Sequence, residues 1–336
     1  MKFELYPPLF VYEQGQRPNQ EDSLWPKSAS SNDRLFIICD GMGGHENGEV
    51  ASQTVCSSLG RWFKEHVNPQ EPFTDEQLYD ALEYAYTELD QFADGSIRQM
   101  GTTLTLIYLH SHGVTAAHIG DSRIYHIRPI STHVEEGLRN ILYRSRDHSL
   151  VFDLFQAGEI TYEEMMSSSQ KNIITRAMTP GEGNRTHPDI IHITDIQPDD
   201  YFILCSDGML EQMSDEELVN LLSDNYSDKK IQQQLVAATA NNQDNHTAWI
   251  IHIKAATHEK GDELLINEEP TARCNAVNFI PSPQEHEINQ MKDDVIVVST
   301  PPTSKKKTHQ RWGLIAILLF AISLLATAVW LLFLRN

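Results

Sequence analysis

Apolar residues follow two different periods along residues 1–255, and each period predicts a different kind of element. Spacings of three and four residues predict long helices over residues 46–66 and 73–92. Shorter helices are predicted over residues 215–222 and 229–240. Apolar runs of strand length lie at residues 36–39, 103–109, 114–119, 123–127, 189–193, 201–205 and 247–253. The pair His112-Gly113 predicts a hairpin turn between two of these strands. Strands in short hairpins, mixed with separate helices, predict an α+β fold of antiparallel sheets covered by helices.

The C-terminal quarter carries a different pattern. Residues 257–312 lose the periodicity and contain five prolines among polar residues, which predicts a disordered tether. Residues 313–334 contain no charged side chain, and at about 1.5 Å per residue they can cross a bilayer core of about 30 Å. Three lysines and an arginine lie just before this segment, and basic flanks favour the cytoplasmic side. We therefore expect a globular domain of residues 1–256 that faces the cytoplasm, a tether, and one transmembrane helix.

Charge and cysteine content limit the kinds of partner and compartment. Residues 305–336 hold five of the 26 basic side chains and none of the 47 acidic ones, so residues 1–304 carry a net charge of −26. Such a domain repels nucleic acid, and we expect no nucleic-acid partner. The four cysteines show no CxxC spacing, which argues against a disulfide framework and suits a reducing cytosol. Polar residues interrupt the N-terminal apolar stretch, so no signal peptide is expected.

Three aspartates stand at the ends of predicted strands. Asp40 ends an apolar run and is followed by a glycine-rich turn, and Asp207 ends a second run in the same way. Asp244 lies just before the last predicted strand. Acids that are far apart in sequence, each at a strand end, predict one shared metal site. A site of carboxylates without thiolates suits Mn²⁺ or Mg²⁺, which prefer hard oxygen ligands.

Eight short motifs occur in a fixed order along the chain. They are Arg17-Pro18-Asn19-Gln20-Glu21-Asp22, Asp40-Gly41-Met42-Gly43-Gly44-His45, Gly101-Thr102-Thr103, Gly120-Asp121-Ser122-Arg123, Asp147-His148-Ser149, Asn172-Ile173-Ile174-Thr175-Arg176-Ala177, Ser206-Asp207-Gly208 and Asp244-Asn245. Together they resemble the metal-dependent protein phosphatases of type 2C in their bacterial form. The resemblance covers about residues 15–253.

The resemblance implies a fold and an activity. The fold is a four-layer αββα sandwich of two antiparallel sheets between helices. The activity is hydrolysis of phosphoserine and phosphothreonine in proteins, by direct attack of a hydroxide that bridges two Mn²⁺ or Mg²⁺ ions. Two divalent ions suit this task, because they lower the pKa of a bound water and neutralise phosphoryl oxygens. A phosphatase of this kind would act on phosphorylated proteins and oppose a serine/threonine kinase at the membrane.

The resemblance also implies a role for each site residue. Asp40 would bridge both metals, the carbonyl of Gly41 would be a further ligand, and Asp207 and Asp244 would complete the ligand set. Glu21 and Asp22 would hold metal-bound waters, directly or through other groups. Asp121 would bind a third, looser ion, although an aspartate beside a glycine is also an ordinary turn former. Arg17 would bind the phosphate, since a guanidinium can grip two phosphate oxygens.

Two features leave the reaction open in part. Relatives from eukaryotes carry a histidine where this chain has Met42, and methionine cannot donate a proton to the leaving group. His45 is one candidate for that general acid, and metal-bound water is another. The competing interpretation of His45 is a turn or capping histidine. Residues 147–183 resemble the variable flap over the active site, in which Arg176 would contact substrate or only pack the flap, and His148 is expected to be structural.

Two other functions compete with a protein phosphatase. One is a catalytically inactive relative that binds phosphoproteins as a membrane adaptor, and the intact set of metal acids argues against it. The other is an enzyme for a non-protein phosphate ester, which only the flap and surface would distinguish from a protein phosphatase.

Overall fold

The computed structural model describes residues 1–43, 46–92, 100–129, 140–170, 173–223 and 226–257. The strands are β1 Lys2–Leu5, β2 Leu9–Glu13, β3 Asp22–Trp25, β4 Leu35–Met42, β5 Gly101–Thr102, β6 Leu104–His110, β7 Gly113–Ile119, β8 Arg123–Ile127, β9 Ile141–Arg144, β10 Asp189–Ile193, β11 Tyr201–Cys205 and β12 His246–Thr257. The helices are α1 Glu46–His66, α2 Asp75–Asp90, α3 Leu150–Gln156, α4 Tyr162–Ser167, α5 Asp215–Ser223 and α6 Asp228–Ala238.

The strands form two antiparallel sheets. The first has the order β1-β12-β11-β8-β9, and β2 also pairs with β12. The second has the order β10-β7-β6-β4-β3, and β5 also pairs with β4. The long strand β12 holds β2 along its first half and β1 along its second half. The segment between β7 and β8 therefore passes from one sheet to the other.

Three apolar layers hold these sheets and helices together. Alternate residues of β4 face opposite ways, as the period of two requires: Phe36 and Ile38 lie in the layer between the sheets, and Ile37 lies under α1 and α2. Trp249 of β12 is fully buried in the layer between the sheets. A third layer joins the outer face of the first sheet to α5 and α6. The order of layers is thus helix, sheet, sheet, helix. Because both faces of each sheet are covered, the strands are continuous apolar runs.

Most predicted elements occur with small changes in their bounds. The helix over residues 46–66 and the strands over residues 123–127, 189–193 and 201–205 have the predicted bounds. The second helix begins at Asp75 instead of residue 73, because Thr74 forms a capping box with Gln77. The predicted turn at His112-Gly113 is wrong by one residue: Gly113 pairs with His110, so the turn consists of Ser111 and His112.

The sequence missed several elements, and two predicted segments lie outside the described residues. The sequence patterns did not indicate β1, β2, β3, β5, β9 or α4. The predicted tether and the predicted transmembrane helix at residues 313–334 fall outside the described residues, apart from residue 257. Within the described residues, none of the helices has the length and apolar character needed to cross a membrane.

Candidate metal centre

The predicted acids lie where strand ends of both sheets meet. Asp22 of β3 and Asp40 of β4 are partners in the antiparallel register of the second sheet. Asp207 lies two residues after the end of β11, and Asp244 lies two residues before β12, which is the neighbour of β11 in the first sheet. The carboxyl groups are close enough to interact, since the pKa of Asp40 responds to Asp22, Asp207, Asp121 and Asp244. The two sheets thus bring together five acids from distant parts of the chain.

Asp22 is the most deeply buried of these acids. Its side chain is completely inaccessible, and its Oδ2 accepts a hydrogen bond of 2.8 Å from Ser206 Oγ. Ser206 Oγ in turn accepts from the backbone N–H of Thr247 at 3.0 Å. The other oxygen, Oδ1, has no partner within the described residues. Burial raises the pKa of Asp22 to about 7, against the lowering effect of the hydrogen bond from Ser206.

Asp40 is held through its backbone while its carboxylate faces the other acids. Its N–H donates to Thr103 Oγ1 at 2.9 Å, and its carbonyl oxygen accepts from the N–H of Thr103 and from Thr102 Oγ1, both at 2.9 Å. Burial, together with the negative charges of the neighbouring aspartates, holds the pKa of Asp40 well above its usual range. Burial and the charge of Asp244 raise the pKa of Asp207 as well.

Asp121 lies in the segment that passes between the sheets. Its side chain is buried, and its Oδ1 has no hydrogen-bond partner among the described residues. Burial and the charges of Asp207 and Asp147 raise its pKa well above the usual range, and Arg123 opposes this only in part. Arg123 is itself occupied by a two-point ion pair with Asp147, at 2.7 Å for each hydrogen bond.

This arrangement fits divalent cations. Within the described part of the chain, no ion pair neutralises Asp22, Asp40, Asp121 or Asp207. Buried carboxylates are normally paired with a cation or bound to a metal, and here Asp22 Oδ1 and Asp121 Oδ1 have no partner among the described residues. The donors are oxygens only, which suits Mn²⁺ or Mg²⁺. The residues present therefore fit the predicted metals, although the role of each ligand remains a prediction.

The loop of residues 14–21 places Arg17 beside this centre. Arg17 Nη2 donates to Asp244 Oδ2 at 2.7 Å, and the Arg17 side chain keeps 49% of its exposure. The loop is fixed by Asn245, whose Oδ1 accepts from the N–H of Glu21 at 2.8 Å. The Asn245 amide also donates to the carbonyl oxygens of Gln14 at 2.8 Å and Asn19 at 2.9 Å. One buried asparagine thus locks both ends of the loop that carries Arg17.

Two glycines allow backbone segments to approach the centre closely. A Cβ at Gly208 would lie 2.0 Å from the carbonyl oxygen of Asn245, so only glycine fits directly after Asp207. A Cβ at Gly41 would lie 2.1 Å from the carbonyl oxygen of Gly48 in α1. The glycine after each acid therefore allows β4 to meet the start of α1, and the segment after β11 to meet the start of β12.

Known proteins share these features. Residues 13–246 match the family model for protein phosphatase 2C. This match covers more than half of the chain and includes all five acids of the centre.

The chain belongs to the protein phosphatase 2C family.

Individual relatives of the 2C family agree with the assignment. Protein phosphatase PhpP of Streptococcus pneumoniae is 31% identical over 210 residues, which is 62% of this chain and 80% of PhpP. The crystal structure of serine/threonine phosphatase Stp1 from Staphylococcus aureus matches with a TM-score of 0.62 and 28% identity, over 76% of this chain and 98% of that chain. A PstP catalytic domain in complex with two manganese ions matches with a TM-score of 0.60 and 28% identity, over 75% of this chain and 99% of that chain. The predictions of the family and of Mn²⁺ or Mg²⁺ dependence are therefore confirmed.

A separate cluster of two histidines and an aspartate also resembles a metal site. Possible ligand atoms of His118, His148 and Asp189 lie within 4.8 Å of one another. Hydrogen bonds determine the tautomer of His148, however. Its Nδ1 accepts from the N–H of Gly120 at 3.1 Å, so the proton is on Nε2, which lies 3.2 Å from Asp189 Oδ2. A metal on Nε2 would move the proton to Nδ1, where it would oppose the Gly120 N–H. The cluster is therefore a hydrogen-bond network, and His148 has the structural role predicted for it.

The same network holds the flap in this 2C phosphatase. Arg176 Nη1 donates to Asp189 Oδ1 at 2.8 Å, and the Arg176 side chain is 46% exposed. Arg176 therefore contacts β10, and its predicted contact with substrate stays a prediction. The flap has a small core of its own, formed by α3 and α4 around Val151, Phe152 and Met165.

Other predicted residues are placed less completely. His45 and Gly44 fall outside the described residues, so the proposed general acid remains a prediction. Glu21 is partly buried beside the start of α1, where a Cβ at Gly48 would lie 3.1 Å from Glu21 Cδ. Sequence reasoning missed three residues that hold the acids, namely Thr103, Ser206 and Asn245. All three belong to the quoted motifs, and this was the signal available for finding them.

Proposed function

We propose that this chain is a metal-dependent protein serine/threonine phosphatase. The observation that carries the proposal is the assembled acid centre of Asp40, Asp207 and Asp244, with Arg17 at its edge. Within the described residues, no basic side chain forms an ion pair with Asp40 or Asp207. A phosphoprotein-binding adaptor would not need this complete set. The relatives PhpP, Stp1 and PstP are named as phosphatases, which supports the same conclusion.

The chemistry divides between the metals and the protein. When bound, a pair of divalent cations lowers the pKa of water and neutralises phosphoryl oxygens. Asp40, Asp207, Asp244 and the carbonyl of Gly41 would hold these cations, and Glu21 and Asp22 would orient the surrounding waters. A further ion would lie at Asp121, whose Oδ1 lacks a partner among the described residues.

Arg17 is suited to hold the phosphate. Hydrogen bonding and attraction to Asp244 raise the pKa of Arg17 against the opposing effect of burial, so the guanidinium stays charged. Its half-exposed position leaves it accessible to a substrate. A guanidinium that already donates to a metal-site aspartate would place the phosphate directly beside the acids.

The described cysteines are unsuited to form a phosphoenzyme. Cys39, Cys56 and Cys205 are all buried, and burial raises the pKa of Cys205 to about 12. Burial holds the pKa of Cys39 well above its usual range. A thiol must be accessible and ionised to act as a nucleophile. Hydrolysis without a covalent cysteine intermediate is therefore the mechanism that the residues support.

An activity assay tests the proposed function. Purified full-length chain is mixed with a phosphothreonine peptide, a phosphoserine peptide and a small phosphate ester, with Mn²⁺ or with chelator. We expect Mn²⁺-dependent phosphate release from the peptides, and its loss in Asp207→Asn. Asp199→Asn is the matched control, because Asp199 is 76% exposed and lies outside the acid centre. Absence of turnover by folded, Mn²⁺-loaded wild type on the peptides would refute the proposal, and turnover of the small ester alone would indicate a non-protein substrate.

We further propose that residues 313–334 anchor the enzyme in the bacterial inner membrane, with the catalytic domain in the cytoplasm. The uncharged 22-residue segment and its basic N-terminal flank support this topology. Anchoring raises the effective concentration of the enzyme toward membrane-bound targets, such as a serine/threonine kinase or its substrates. Deletion of residues 313–334 should move the protein from the membrane fraction to the soluble fraction and slow dephosphorylation of membrane-bound targets. Unchanged fractionation would contradict the anchor, and unchanged dephosphorylation rates would contradict its role.

A further inference from the structure

The side chain of Thr103 lies between two parts of the metal centre. Thr103 is completely buried in the short connection between β5 and β6. On one side its Oγ1 accepts the N–H of Asp40 at 2.9 Å. On the other side the same oxygen lies 2.8 Å from Ser122 Oγ, in the residue directly after Asp121. One hydroxyl group thus joins the strand of Asp40 to the loop of Asp121.

Thr103 holds the peptide groups on both sides of Asp40. Besides accepting the Asp40 N–H, it donates its own N–H to the Asp40 carbonyl oxygen at 2.9 Å. A shift of Thr103 therefore moves the Asp40 backbone, and with it the carboxylate. The proposed bridging ligand is positioned by this one residue at two points.

Thr103 also contacts the Asp121 loop on both sides of the aspartate. Ser122 is completely buried and shares the hydrogen bond with Thr103 Oγ1. Gly120 has a φ of +104°, and a Cβ there would lie 2.6 Å from Thr103 Cγ2. The methyl group of Thr103 thus fits against Gly120 and its hydroxyl fits against Ser122. Asp121 stands between these two contacts.

We propose that Thr103 is a positioning residue that holds Asp40 and Asp121 in one rigid frame and so couples metal binding at the two sites. The inference rests on the proposed metal-dependent function. The chemistry requires a hydroxyl group, because Oγ1 accepts the Asp40 N–H while sharing its proton with Ser122 Oγ. Valine has nearly the same shape but can do neither. Partners that orient metal ligands typically contribute 10–100-fold to metal affinity.

The test is a titration of the chelator-treated full chain with Mn²⁺, followed by calorimetry. We expect Thr103→Val to weaken Mn²⁺ binding about 10–100-fold, and Thr103→Ser to bind within about threefold of wild type. Thr105→Val is the matched control, since Thr105 is equally buried and its hydroxyl donates to the Ile38 carbonyl oxygen, at 3.3 Å, and to no acid of the centre among the described residues. It should bind Mn²⁺ as wild type does. Wild-type affinity in Thr103→Val, or an equal loss in Thr105→Val, would overturn the proposal.

Ser122→Ala tests the frame from the other side. It should weaken Mn²⁺ binding in the same direction, and the double variant with Thr103→Val should lose less than the product of the two single effects. If the effects of Thr103→Val and Ser122→Ala on Mn²⁺ affinity multiply fully in the double variant, the two residues act independently and the shared frame is refuted. If Thr103→Val does not fold in chelator, as judged by circular dichroism, Ser122→Ala alone decides, because it removes the hydroxyl partner of Thr103 Oγ1, and wild-type Mn²⁺ affinity in Ser122→Ala would then overturn the proposal. Mn²⁺ affinity separates the positioning role of Thr103 from the proposed phosphatase function. If Mn²⁺ binding depends on Thr103 but the chain has no phosphatase activity, only the proposed function is refuted.

Discussion

Replacing Asp22 with asparagine should stabilise the metal-free protein, although it removes an acid of the metal centre. Asp22 is completely buried, one of its oxygens lacks a partner within the described residues, and its neighbours include Asp40, Asp207 and Asp244. In the absence of metal the ionised carboxylate is therefore unfavourable in the folded state. An asparagine keeps the shape, and its Oδ1 can still accept the hydrogen bond from Ser206 Oγ.

The magnitude follows from the pKa of Asp22, which rises from 3.8 to about 7 on folding. Between these values the folded state retains a proton that the unfolded chain has lost, so stability decreases as the pH rises through this window. At about 1.4 kcal/mol per unit, the ionised group destabilises the folded protein by about 4 kcal/mol at pH 8. At pH 5 the window is only partly crossed, and the effect is about 2 kcal/mol.

The assay is urea unfolding of the full chain in chelator at pH 5 and pH 8. We expect Asp22→Asn to raise the free energy of unfolding at both values, and by more at pH 8. In Mn²⁺ the order should reverse, because bound metal stabilises the wild type by mass action and the variant binds it less well. A variant that is less stable than wild type in chelator at pH 8, or equal gains at both pH values, would refute the reasoning.

Three further predictions concern the phosphate, the glycine after Asp207 and the pH dependence of folding. Arg17→Lys should lower kcat/KM for a phosphothreonine peptide about 10–100-fold, as a lost charged hydrogen bond predicts, and full activity in the lysine variant would contradict the role of the planar guanidinium. Gly208→Ala should lower the Tm and weaken Mn²⁺ binding, because its Cβ would lie 2.0 Å from the Asn245 carbonyl oxygen. Gly183→Ala is the control, because a Cβ at Gly183 would have no atom of the described residues within 4 Å. Equal melting temperatures of the two variants would contradict the close approach at Gly208. Burial and the charge of His148 lower the pKa of His118 to about 4. The unfolded chain therefore binds a proton near pH 6.5 that the folded protein binds only near pH 4. His118 should therefore contribute a loss of stability of up to about 3 kcal/mol as the pH drops from 6.5 to 4, opposite in sign to the contribution of Asp22. Urea unfolding should show this contribution as a difference between the pH profiles of wild type and His118→Gln, and identical profiles would exclude His118 as its source.

The sequence predicted those parts of the fold that carry a local signal. The covered strands are uninterrupted apolar runs, and α1 shows a regular helical period, so their positions could be read directly. Strands β1 and β2 lack such a signal, because they are four and five residues long and pair with a strand more than 200 residues away. Strand β3 was hidden by Asp22 and Ser23, which are polar residues buried for the sake of the site.

The candidate site shows the same division. The acids could be predicted because each stands beside a glycine or a strand, and the order of the motifs identified the family. The groups that position them could not, because their hydrogen bonds join distant residues: Asn245 reaches Glu21 across 224 positions and Ser206 reaches Asp22 across 184. Such partners depend on the packing of one sheet against the other, which no local pattern reveals.

The number of Mn²⁺ ions bound per chain tests the central claim most directly. Calorimetric titration of the chelator-treated full chain should show at least two ions for the wild type and a loss of tight binding in Asp40→Asn, because Asp40 is the acid on which the charges of the others converge. Failure of folded wild type to bind Mn²⁺, or wild-type stoichiometry and affinity in Asp40→Asn, would contradict a metal centre built on this aspartate.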